Sequence, residues 1–115
     1  MGSEVRNSEL SSQVRVVGLL GRLDINTTEV DAPVLQTALN DSAAGVIVDM
    51  DAVAFISSSG LRMLLAAERN ARATGKRFAL VRTKPLIYKI FKVAGLSEAF
   101  HFFDSEAEAV NALSR

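Results

Sequence analysis

Residues 45–50 have the sequence Gly-Val-Ile-Val-Asp-Met, and this stretch decides the fold class because its apolar residues are continuous rather than alternating. A strand covered on only one face alternates apolar and polar side chains, whereas a strand buried on both faces is apolar throughout. Strands of the second kind occur mainly in parallel sheets that carry helices on both faces. The stretch therefore predicts a central strand of an α/β domain.

On both sides of this strand the hydrophobic pattern alternates between strand and helix. Strands are predicted over 14–20, 77–81 and 99–103. Helices are predicted to end near Asn40 and Ala73, to run from Pro85 to Gly95, and to follow Ser105. The order predicts one α/β domain over 13–115, with an open, mostly parallel sheet covered by about four helices. Residues 1–12 are polar and are expected to be flexible or to form an edge strand, which would complete an N-terminal hairpin.

The start of the first helix is left open by its capping residues. Residues 22–28 supply several candidates, among them Asp24. Asp31 could equally cap the helix, because Pro33 would then lie in the first turn, where its missing N–H costs nothing.

Composition excludes several classes of function. The 115 residues include 13 basic and 13 acidic side chains, so the chain lacks the basic excess on which nucleic-acid binding depends. With no cysteine and a single histidine, His101, neither a disulfide framework nor a metal site is expected, and no cofactor is predicted. No apolar run approaches the ~20 residues that span a bilayer, and the start has no signal-peptide pattern. A cytoplasmic protein without membrane insertion is the expectation.

The residues of greatest chemical interest are the three serines of 55–61, Phe-Ile-Ser-Ser-Ser-Gly-Leu, at the predicted start of a helix. One interpretation is that a serine simply caps the helix, which stabilises it by about 1 kcal/mol. The other is phosphorylation, since free N–H groups and the helix dipole favour a phosphate at this position. In that interpretation Gly60 removes a side chain that would crowd the phosphate or a docking kinase.

Four segments resemble the STAS family, and specifically the stand-alone bacterial anti-sigma factor antagonists. They are 21–24 (Gly-Arg-Leu-Asp), 46–50, 55–61 and 75–78 (Gly-Lys-Arg-Phe), and the resemblance extends over nearly the whole chain from Val14. It implies that an anti-sigma factor, also a serine kinase, binds this chain and phosphorylates it, and that a phosphatase reverses the modification. By position the acceptor would be Ser58. The family commonly carries Asp where this chain has Ser57, so Ser57 and Ser59 remain alternative acceptors.

A partner surface is expected on the helix that follows the serines. Positions three and four apart share a helix face, which groups Ser59, Arg62, Met63 and Ala66 beside the acceptor, with Gly60 at the same corner. The alternative is that Met63 and Ala66 are ordinary scattered surface residues. The chain is expected to be a monomer or a weak homodimer.

Other functions remain as alternatives. A serine hydrolase would need a Gly-x-Ser-x-Gly elbow, which is absent, and His101 beside three phenylalanines is more typical of a structural residue, so no catalytic residue is predicted. No phosphate-binding glycine loop is present, although Asp24 is a weak candidate for contacting a nucleotide. The nearest alternative is a STAS domain that is not a kinase substrate and serves as a scaffold or accessory subunit of a signalling or lipid-transport complex.

Overall fold

The protein was analysed as a computed structural model that describes residues 3–113. Its strands are β1 (Glu4–Asn7), β2 (Val14–Gly18), β3 (Gly21–Leu23), β4 (Gly45–Asp49), β5 (Val53–Ile56), β6 (Arg77–Val81) and β7 (Phe102–Phe103). Its helices are α1 (Ile25–Asp41), α2 (Ser58–Ala73), α3 (Pro85–Val93) and α4 (Glu106–Leu113). The predicted α/β class, with four helices, is confirmed.

The main sheet has five strands in the order β1-β2-β4-β6-β7. Only β1 and β2 pair antiparallel, as a hairpin at one edge, and every other pairing in this sheet is parallel. In the central strand β4, Val46 and Val48 face one apolar cluster and Ile47 faces another. Burial on both faces is what the continuous apolar run predicts.

The helices divide between the two faces of this sheet. Helices α1, α2 and α3 cover the face of Val46 and Val48 and contribute residues such as Leu35, Leu64 and Phe91 to its core. Helix α4 covers the opposite face, where Ala109, Val110 and Leu113 are buried. None of the helices within residues 3–113 combines the length and apolarity that crossing a bilayer requires.

The structure corrects the prediction at three strands. The strand predicted over 14–20 ends at Gly18, and a second, short strand, β3, follows it. β3 pairs in parallel with β5 to form a separate two-stranded sheet, and neither of these strands was among those predicted. The last strand is confined to β7, two residues instead of the five predicted over 99–103.

The structure also settles where the first helix begins. Asp24 is the cap of α1, and its carboxylate accepts hydrogen bonds from the N–H groups of Asn26 (3.0 Å) and Thr27 (3.2 Å). Asp31 is therefore not a cap but a buried residue of the second turn, and Pro33 lies inside the helix. Capping by Asp31 was the wrong alternative.

Candidate functional site

The candidate site lies where the two-stranded sheet ends and two helices begin. Because β3 and β5 run parallel with Leu23 opposite Ile56, the chain enters α1 and α2 at the same edge. Asp24 caps the first of these helices and Ser57 caps the second. The N-termini of two helices that pack against each other therefore lie side by side.

Ser57 is held by hydrogen bonds on both sides of its hydroxyl. Its Oγ donates to the carbonyl oxygen of Leu23 (3.0 Å) and accepts from the N–H of Gly60 (3.4 Å). Its own N–H also donates to the Leu23 carbonyl, at 2.8 Å. A half-buried hydroxyl engaged in this way performs the capping role that one interpretation of the sequence gave to the serines.

Ser58 and Ser59 differ from Ser57 in their surroundings. Ser58 is the first residue of α2 and is exposed, whereas Ser59 is partly buried. The first turn of α2 carries no acidic side chain, so nothing within it opposes an added negative charge. The structure thus places Ser58 at the exposed helix start expected for it, while its modification stays a prediction.

Gly60 has a different role from the one suggested by the sequence. The glycine is buried, and a Cβ atom built on it would lie 2.7 Å from Ile56 Cγ1 and 2.8 Å from the Leu23 carbonyl oxygen. Its missing side chain therefore lets α2 approach the two-stranded sheet closely, rather than leaving space for a phosphate or a kinase.

The expected partner face is only partly exposed. Arg62 and Ala66 lie on the surface, but Met63 is 8% exposed and belongs to the core. Met63 lines the floor of a groove of about 320 Å³ between α2 and the part of α1 around Pro33. Since α1 packs over this side of α2, the prediction that Met63 is a surface residue is wrong.

Two exposed residues that the sequence analysis did not single out lie on the two-stranded sheet. Arg22 on β3 is opposite Phe55 on β5, and its guanidinium carbon lies 4.3 Å from the centre of the phenyl ring. Arg22 Nε is also 3.6 Å from a carboxylate oxygen of Asp24. Arginine and aromatic residues are both enriched in protein interfaces relative to the rest of the surface. Only the pairing of β3 with β5 reveals this contact, since the two residues are far apart in the chain.

Asp24 is occupied by its capping interactions. The N–H groups of Thr27 and Asn26, followed by Arg22, hold the pKa of its carboxyl below the ordinary value. The side chain of Thr27 in turn accepts from the N–H of Asp24, which completes a capping box. Contact with a nucleotide stays a prediction for this residue.

His101 is exposed and precedes β7, at the edge of the main sheet opposite the hairpin. Over residues 3–113, no group of three or more acidic or histidine side chains is arranged to hold a metal ion. The described geometry therefore gives His101 no metal-binding partners.

A family model described as the STAS domain matches residues 7–109. The chain belongs to the STAS domain family. An anti-sigma F factor antagonist of Lysinibacillus sphaericus is 27% identical over 82 residues, which cover 70% of either protein. The family resemblance drawn from the sequence is thereby confirmed.

Solved structures of STAS proteins have the same fold. An anti-sigma factor antagonist from Mycobacterium paratuberculosis superposes with a TM-score of 0.84 at 23% identity, over 98% of this chain and 93% of that one. The Bacillus cell fate determinant SpoIIAA in its phosphorylated form superposes with a TM-score of 0.68 at 23% identity, over 96% and 99% of the two chains. At these identities the likeness shows a shared fold.

Proposed function

We propose that this protein is an anti-sigma factor antagonist that binds an anti-sigma factor with serine-kinase activity and is released when Ser58 is phosphorylated. The observation that carries the proposal is the contrast between the serines at the start of α2. Ser57 caps the helix with its hydroxyl, whereas Ser58 is exposed at the first helical position. The names of similar proteins, an anti-sigma F factor antagonist and a phosphorylated SpoIIAA, support the same function.

The local electrostatics favour a phosphate on Ser58. A phosphoserine adds a charge of about −2, which is stabilised by the N–H groups and the dipole at a helix N-terminus. Arg62 is exposed four residues later, where side chains on one helix face can meet. The modification would therefore be tolerated by the fold and would act on binding instead.

The partner surface consists of the exposed residues around this corner together with the partly buried Ser59. Ser59, Arg62 and Ala66 on α2 are retained from the sequence-based prediction, and the pair of Arg22 and Phe55 extends the surface onto the small sheet. An acidic patch on the anti-sigma factor would be attracted by the two arginines and repelled by phosphoserine. This would make the added phosphate a direct electrostatic cause of release.

The proposal also retains the sequence-based expectations about the phosphatase, the location, the oligomeric state and catalysis. A phosphatase restores the binding form, the protein acts in the cytoplasm as a monomer or weak homodimer, and it performs no catalysis itself.

Phosphorylation of purified protein tests the acceptor. Candidate anti-sigma factor kinases from the same genome are incubated with the protein and ATP, and modified peptides are located by mass spectrometry. We expect phosphate on Ser58 and its loss in Ser58→Ala, while Ser59→Ala is modified as the unaltered protein is. Modification at Ser57 or Ser59 would contradict the assignment.

Binding to the kinase, measured by calorimetry, tests the surface. Ser58→Asp and Arg62→Glu are each expected to weaken binding at least about tenfold, or 1.4 kcal/mol, because each adds repulsion at the interface. Arg77→Glu, which changes an exposed residue of β6, is the matched control. Co-purification with transporter subunits, without any anti-sigma factor, would instead favour the accessory-subunit function.

A further inference from the structure

Helix α3 presents an apolar face that is exposed to solvent in the described part of the chain, residues 3–113. Its inner side is formed by Ile87 and Phe91, which are buried in the core. Leu86 and Val93 lie on the outer side, 69% and 80% exposed. These two large apolar side chains lie on the same side of the helix, two turns apart and away from the core. Together they form an apolar ridge, whereas isolated exposed apolar residues would be scattered over the surface.

This ridge belongs to an open, shallow surface formed by one face of α3 and its C-terminal end. The surface consists of Leu86, Lys89, Ile90, Val93 and Ala94 and leaves about 410 Å³ of space between their side chains. Apart from the lysine these residues are apolar, so the surface would contact apolar side chains of a partner. Amphipathic helices are recognised through apolar residues at spacings of three, four and seven, and Leu86, Ile90 and Val93 have this spacing.

The charged residues of α3 and its cap are all basic. Lys84, Lys89 and Lys92 belong to α3 or its cap, and no acidic residue occurs between Arg82 and Ser97. Lys84 is 3.8 Å from the carboxylate of Asp51, whereas Lys89 and Lys92 form no ion pair within residues 3–113. On a chain of zero net charge, this helix is a local basic surface.

We infer that the outer face of α3 docks an acidic amphipathic helix of a partner protein, at a site separate from the start of α2. The apolar side chains of Leu86, Ile90 and Val93 pack against the partner's apolar side chains, and acidic residues flanking those pair with Lys89 and Lys92. This inference does not depend on phosphorylation of Ser58 or on binding of an anti-sigma factor.

Two other occupants fit the surface less well. Recognition of an anionic membrane typically uses clusters of about 4–8 lysines and arginines, and α3 itself carries two, Lys89 and Lys92. A second copy of the chain in a two-fold contact would bring two identical basic patches together, and α3 supplies no acidic residue to pair with them. An acidic partner satisfies both the apolar surface and the charge.

The test uses the full chain and a synthetic peptide probe of about 18 residues, or five helical turns. The peptide carries leucines at helical spacing with glutamates on either side, and a second peptide has every glutamate replaced by lysine. Fluorescence anisotropy measures affinity, and NMR of the ¹⁵N-labelled protein locates the contact. We expect the acidic peptide to bind with a Kd of about 100 µM or tighter, shifting amides of α3, and the basic peptide to show no binding.

Variants decide whether the proposed surface is responsible. Lys89→Glu combined with Lys92→Glu is expected to weaken binding at least about tenfold, and Val93→Asp to do the same by placing a charge on the ridge. Arg69→Glu reverses an exposed charge on α2 and is expected to leave the affinity unchanged. Circular dichroism checks that each variant is folded.

Three results would overturn the inference. The first is unchanged peptide affinity in the lysine and Val93 variants, or shifts confined to elements other than α3. The second is binding to phosphatidylglycerol vesicles without binding to the acidic peptide. The third is a dimer in sedimentation experiments that Val93→Asp dissociates, which would assign the face to self-association.

Discussion

The hydroxyl of Ser57 donates a hydrogen bond to the carbonyl oxygen of Leu23, 3.0 Å away, and so joins the start of α2 to the end of β3. Ser58, the next residue, is exposed. Adjacent serines thus have separate tasks, one holding the helix start in place and the other presenting a hydroxyl to solvent. The two tasks can be separated by substitution.

Ser57→Ala is expected to lower the free energy of unfolding by about 1 kcal/mol, because it removes the helix cap. Ser58→Ala is expected to change it by less than about 0.5 kcal/mol, as is usual for exposed positions. Urea denaturation measures both. Equal effects of the two substitutions would contradict the division of tasks.

Gly60→Ala is expected to destabilise the protein even though alanine favours helices over glycine by about 1 kcal/mol. The new Cβ atom would lie 2.7 Å from Ile56 Cγ1 and 2.8 Å from the Leu23 carbonyl oxygen, so the start of α2 must move away from the small sheet. Such overpacking typically costs about 1–3 kcal/mol. A higher melting temperature than that of the unaltered protein would show that the close approach is not required.

Leu64→Ala is expected to cost about 2–5 kcal/mol, because Leu64 is fully buried and its truncation leaves a cavity. Leu65→Ala is the matched substitution on the same helix. Leu65 is partly exposed and borders a groove near Ala99, so its loss is expected to be smaller. If chemical denaturation shows a larger loss of stability for Leu65→Ala than for Leu64→Ala, the inner face of α2 is misassigned.

Asp31 makes the stability of the fold depend on pH. Burial raises the pKa of its carboxyl above the ordinary value. The folded state therefore binds the proton more tightly than the unfolded chain does. The stabilisation from this proton is fully present below the unfolded pKa and is lost as the pH rises through the folded pKa.

Asp31→Asn keeps the side chain neutral at every pH, so it is expected to raise the free energy of unfolding at about pH 7. The gain is expected to shrink towards about pH 4, near the ordinary pKa of aspartate, because the raised pKa keeps Asp31 of the unaltered protein largely protonated there. Urea denaturation at both pH values measures the difference. Glu29→Gln, at an exposed position of the same helix, should show no comparable gain. If the effect of Asp31→Asn does not depend on pH, ionisation of the buried Asp31 carboxyl is not the source of the pH dependence.

The central elements could be predicted from the sequence because each has a strong local signal. β6 was predicted with its observed bounds, and α3 begins at Pro85 as predicted. Beyond α3, Gly95 has a φ of +76°, and the N–H of Leu96 donates to the carbonyl of Phe91, which is a glycine-based helix-ending motif at the predicted end. A continuous apolar strand, and a helix bounded by Pro85 at its start and Gly95 after its end, leave few alternative structures.

The two-stranded sheet and the start of α1 lacked such signals. β3 has three residues, β5 has four, and each is stabilised by pairing with the other across about thirty residues of sequence. Asp24 and Asp31 are equally good caps on composition alone. The choice between the two caps depends on the tertiary structure. Helix α1 begins directly after the end of β3, and Asp31, in the second turn of α1, is buried.

The candidate site could likewise be predicted only in part. Serines followed by an apolar helix pattern indicate an exposed helix start, which the structure has at Ser58. The burial of Met63 could not be predicted from the pattern of α2, because it results from the packing of α1 against that helix. The contact of Arg22 with Phe55 equally requires the strand pairing that the sequence did not reveal.

Tyr88 gives the protein a built-in spectroscopic reporter. It is the only tyrosine in a chain without tryptophan, so its emission is the intrinsic fluorescence of the whole molecule. The ring lies on α3, 39% exposed, with its centre 5.0 Å from that of Phe102 on β7 in an edge-on contact. Fluorescence recorded during unfolding or on addition of a partner therefore monitors one contact, that between α3 and the edge of the sheet, without any label.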